Sequence, residues 1–269
     1  MKIRIFAISV IMLLLAACEK KIEIHPENSE EKIYVQGLFT DSPLVSYIKL
    51  SKTKNINEPI TGHPPITDAV VTIKDLTDNT IINCNFTGTE YVPEAQGISG
   101  HEYLLDIQAE GQHITARQTM TTFIPLENVI SNPVEEKPGT YFLTARFVDP
   151  PETEDYYLFI AQPQDPNSGL EVRFTVMSDF MYDRNNKSLI IEDEYFQEGE
   201  DWIILFFHID RKNYNYLHVI LRAMKSLLNG AHPFYGLSMG NPPNTVEGDQ
   251  SLGFFIASPV SLSPIRIGN

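Results

Sequence analysis

The stretch "AVVTIKD", Ala69–Asp75, decides how this chain is read. Val71 and Ile73 fall on one face by the two-residue period of an extended strand, and Thr72 and Lys74 fall on the other. Valine and isoleucine also suit a pleated, half-buried surface better than a helix.

Similar short alternating runs lie on either side. Upstream, "KIYVQGLFT" (Lys32–Thr40) and "LVSYIKLSK" (Leu44–Lys52) flank an Asp41-Ser42-Pro43 turn, and the loop "NEPITGHPPITD" (Asn57–Asp68) leads into the quoted stretch. Downstream, "TIINCNF" (Thr80–Phe86) follows an Asp78-Asn79 turn. "HEYLLDIQAE" (His101–Glu110) and "HITARQTM" (His113–Met120) then flank Gly111. Roughly seven short strands in about ninety residues predict a β-sandwich of immunoglobulin-like or transthyretin-like build over residues 32–126.

The run "SNPVEEKPGT" (Ser131–Thr140) is the expected boundary region, with a second β-rich domain over 127–269. "YFLTARFVDP", "DYYLFIAQP", "LEVRFTVM" and "WIILFFHID" read as strands, the last buried on both faces. Between the last two lies a polar, acid-rich stretch read as a loop. One helix is expected over about 211–229. Tyr214, Leu217, Leu221, Met224 and Leu228 recur three and four apart to form an apolar stripe, Asp210 serves as N-cap, and Gly230 follows the end. The chain is therefore expected to be mostly β with one helix.

The N-terminal segment predicts location. Lys2 and Arg4 precede an apolar run from Ile5 to Ala17, too short to span a membrane, which takes about 20 residues. Leu15-Ala16-Ala17-Cys18 matches a bacterial lipobox, so residues 1–17 are expected to be a signal peptide and Cys18 the lipid-attachment residue. Several acyl chains anchor firmly, because each buried methylene contributes about 0.8 kcal/mol. Residues 18–31 read as a flexible, charged tether. Glu19 is not the aspartate of the inner-membrane retention signal, and by resemblance to other lipoproteins the outer membrane is expected, on its periplasmic or its surface face.

The formal net charge of −15 argues against nucleic acid and against electrostatic adsorption to anionic lipid. With Cys18 acylated, Cys84 stands alone and is expected to be a buried, inert thiol. The seven histidines form no zinc motif, and there is no P-loop, nucleophile elbow or dinucleotide fingerprint. No enzyme activity, cofactor or metal is expected. The acidic residues between Glu192 and Asp201 lack the spacing of a calcium loop and read as solvated. Phe234, Tyr235, Phe254 and Phe255 cluster near Pro/Gly-rich loops. They form either a binding patch or the core filling of the second domain.

These parts together resemble a known family. The lipobox, the "VQGLFT" strand, "PPITDAVVTIKD", the helix "NYNYLHVILRAMKSLLNGAHPF" and the final "GNPPNTV…GDQSLGFFIAS" are similar to Bacteroidota lipoproteins classed as domain of unknown function 4249. The resemblance implies an outer-membrane lipoprotein that accompanies a TonB-dependent receptor, capping the barrel or capturing its ligand. It implies no catalytic residues. The alternative is a surface adhesion or matrix-binding module that works without a transporter.

Overall fold

Among the described residues, seven strands form before residue 120: β1 (Ile33–Phe39), β2 (Tyr47–Lys52), β3 (Val70–Asp75), β4 (Thr80–Phe86), β5 (Tyr91–Pro93), β6 (Glu102–Ala109) and β7 (Gln112–Thr119). The computed structural model describes residues 31–53, 65–151, 153–179, 188–228, 244–249 and 251–268, all within one unit of the chain. The alternation read in β3 holds: Val71 and Ile73 are buried, and Thr72 and Lys74 between them are half-exposed. β6 and β7 form a hairpin closed by Glu110 and Gly111, both at positive φ (50° and 75°). That is the backbone a two-residue connection needs to match strand twist, and glycine takes it without a Cβ clash.

The remaining elements are β8 (Leu126–Pro133), β9 (Thr140–Phe147), β10 (Tyr156–Pro163), β11 (Arg173–Ser178), β12 (Ser188–Gln197), β13 (Asp201–Ile209), α1 (Arg211–Leu228), β14 (Ser251–Ala257) and β15 (Val260–Arg266). Three sheets result, ordered β14-β1-β2-β5-β4-β3-β6-β7, β11-β10-β13-β15 and β12-β9-β8. All eight strands of the first sheet feed one core, including Val35, Ile73, Tyr103, Leu105 and Phe255, so that sheet curls round on itself. The two smaller sheets face each other across a second core built on Phe147, Phe159, Trp202 and Phe206. The mostly-β fold expected from the sequence is observed.

Two features of the chain's path go beyond the sequence reading. The stretch read as a boundary, 131–140, is a hairpin: its first residues end β8, which pairs with β9 up to Pro133↔Tyr141. Nor is the second half contiguous in sequence. β14 leaves it and pairs in parallel with β1, and β15 then returns to pair with β13. Local pattern carries no signal for a pairing between residues so far apart in the chain.

This double crossing joins the halves. Ser258 N donates to the Phe39 carbonyl, Val260 N to Asp41 Oδ1, and Leu126 N to Ser261 Oγ. A third apolar cluster fills the seam. Leu38 and Ile256 come from the first sheet, Leu158, Ile160, Leu205 and Phe207 from the second, and Tyr216 and Leu217 from α1. β13 is thus buried on both faces, as its sequence predicts. At about 1.5–3 kcal/mol per buried side chain, this seam is worth on the order of 10 kcal/mol, an upper estimate.

Asp210 caps α1 as expected, its Oδ1 accepting from Lys212 N and Asn213 N. Tyr214 and Leu217 of the expected stripe pack in the seam. Asn213, Tyr216 and Leu217 are the helix's buried residues, whereas Met224 is 53% exposed.

Candidate functional site

Cys18, Phe234 and Tyr235 lie outside the described residues. Phe254 and Phe255 are neighbours in β14 and therefore point to opposite faces. Phe255 is 1% exposed in the first core, and Phe254 packs in the seam with its ring centroid 6.1 Å from that of Tyr216. Both positions therefore fill core or seam.

The acidic stretch read as a loop is largely β12, whose pairing with β9 shifts register between Ile191 and Phe196. Phe196 is fully buried and packs edge-on against Trp202. Farther along, Glu200 Oε2 accepts from Trp202 Nε1 and Gln197 N, and Asp201 pairs with Arg266 at 2.8 Å. Glu200 thus closes the β12–β13 connection, and Asp201 pairs across β13 and β15. Arg173 lies over the rings of both Phe196 and Trp202, at 4.5 and 4.7 Å, and donates to the Tyr195 carbonyl.

The densest polar cluster sits where the chain passes from one sandwich to the other, at the junction end of β10 and β13. His208 ends β13 with its Nε2 2.8 Å from Asp155 Oδ1, and its Nδ1 lies 3.3 Å from Thr122 Oγ1. The neighbouring Thr121 hydroxyl donates to the His208 carbonyl. Asp155 is 6% exposed and also accepts from Thr153 Oγ1. Burial works to raise its pKa, but the bonds from His208 and Thr153 and the His208 charge outweigh that, and the carboxyl is held below its ordinary range. The carboxylates of Asp149, Asp155 and Asp179 come within 4.8 Å of one another. Tyr157 donates to Asp149 Oδ1, and burial, followed by that bond, pushes its phenol far up.

Carboxylate, imidazole and hydroxyl stand here in the order of a nucleophilic triad. Nδ1 also lies 3.4 Å from the Thr122 carbonyl oxygen, so the imidazole meets both the hydroxyl and the carbonyl of that residue. Among the described residues, cavities of about 460 and 280 Å³ are lined by other residues. What the arrangement does in this structure is fasten the linker at 121–122 to β13. Sequence reading takes His208 only as one of seven histidines without a zinc motif. No spacing signal joins partners 53 and 86 residues apart.

A second group, Asp75, Asp78 and His101, also brings its ligand-type atoms within 4.8 Å. Here Asp75 Oδ1 accepts from Thr77 N and Asp78 N, closing the β3–β4 turn, and Oδ2 lies 2.8 Å from His101 Nδ1. Both oxygens of the buried carboxylate are thus taken by protein donors. Cys84 is 9% exposed, and burial, with Glu94 nearby, pushes its thiol up to about 12, so it does not ionise at neutral pH. No helix among the described residues is long and apolar enough to cross a membrane.

A family model described as domain of unknown function (DUF4249) matches residues 19–262. No curated protein matches the chain. Among solved structures, a cytokine receptor complex is 10% identical, covering 68% of this chain and 86% of that one with a TM-score of 0.24. A two-domain fibronectin type-III segment of chicken tenascin is 12% identical, covering 65% and 90% with a TM-score of 0.22. Scores this low support no argument about this chain.

Proposed function

We propose that this chain, which belongs to the family of domain of unknown function DUF4249, is a lipid-anchored binding module of the outer membrane serving a TonB-dependent transporter. In this reading it caps the barrel or captures ligand for it. The observation that carries the proposal is the build of the body. Two β-sandwiches are locked into one piece by β14, β15 and the seam, and the charged segment 18–31 separates that piece from the lipobox cysteine.

A locked body on a lipidated tether suits a binding partner of a membrane protein. Acylation of Cys18 confines it to the plane of the barrel, and the tether then sets a high effective concentration without any new contact. The identity of the partner follows from the family resemblance set out above. The polar clusters support a structural rather than a catalytic role, since each ties a turn or a linker to its neighbours.

Deletion of the gene tests the proposal, with uptake measured for the substrates of the TonB-dependent receptors encoded nearby. Uptake of at least one substrate is expected to fall. Unchanged uptake through every such receptor would sink the idea.

A further inference from the structure

We draw no further inference here: the strongest candidate, the Asp149, Asp155 and Asp179 carboxylate cluster beside His208 where the two sandwiches meet, is an acidic cluster whose bonds to Tyr157, Thr153 and His208 belong to the junction already described, with no second observation among the described residues that points to a ligand.

Discussion

Gly253 of β14 and Val35 of β1 lie opposite each other across the parallel pair that closes the first sheet, so close that a Cβ on Gly253 would stand 1.9 Å from the Val35 carbonyl oxygen. Gly253 also has φ +132°, a conformation that side-chain-bearing residues rarely adopt. β14 can therefore dock on β1 only because this position has no side chain.

Gly253→Ala combines steric overlap with backbone strain and should cost about 2–4 kcal/mol. Trp202, the single tryptophan, is fully buried in the second sandwich and reports on that half alone. Its urea midpoint is expected to fall in the variant and to coincide with the far-UV transition. An unshifted Trp202 midpoint would show that the seam does not couple the halves.

Asp210→Ala removes the α1 cap together with the acceptor for Gln118 Nε2 and Asn213 Nδ2. Loss of a cap typically costs about 1 kcal/mol, and the lost side-chain bonds place this variant toward 2. Chemical denaturation measures it. Asn213 also donates to the Phe255 carbonyl, so α1 should loosen from β14 and hydrogen exchange at the Phe255 amide should quicken.

How much of this was legible in the sequence depended on the range of the signal. β1, β3, β6, β7, β10 and β13 were visible as runs of alternating or continuous apolar residues, and α1 with its Asp210 cap as a three-and-four period. β5 has only three residues, one of them Pro93, too few to show a period. β8 and β15 bury few of their residues, and β12 carries its acids through a register shift. The β1–β14 pairing has one local trace, Gly253, which marks a close approach without naming its partner. The cluster around His208 left no trace, because its members meet only through the crossing of two sandwiches.

The Asp75–His101 pair gives a pH signature. The hydrogen bond from Asp75 is the largest influence on His101, and it holds the imidazole above its ordinary 6.5. Burial opposes ionisation of Asp75, but the bonds from His101 and from the Asp78 and Thr77 amides outweigh it and hold the carboxyl below 3.8. The His101 contribution is complete below pH 6.5 and fades as pH rises through the raised pKa. The Asp75 contribution is present above 3.8 and is lost as pH falls through the lowered one. The pair therefore stabilises most between those values. In an NMR titration His101 should titrate above 6.5 in the wild type and return toward it in Asp75→Asn, whereas equal titration in both would remove the pair from the account.

The proposed acylation at Cys18 predicts that the protein is labelled by a palmitate analogue and sediments with membranes. Cys18→Ala is expected to lose the label and leave the protein without its anchor. Label retained in the variant would place the lipid elsewhere.

The central claim is the partnership with a transporter, and co-purification tests it most directly. The C-terminally tagged protein would be extracted from membranes in mild detergent and its companions identified and quantified. The account predicts a TonB-dependent receptor in near-equal amount, absent from the Cys18→Ala variant. Recovery of the lipoprotein alone, from membranes whose receptors survive extraction intact, would contradict it.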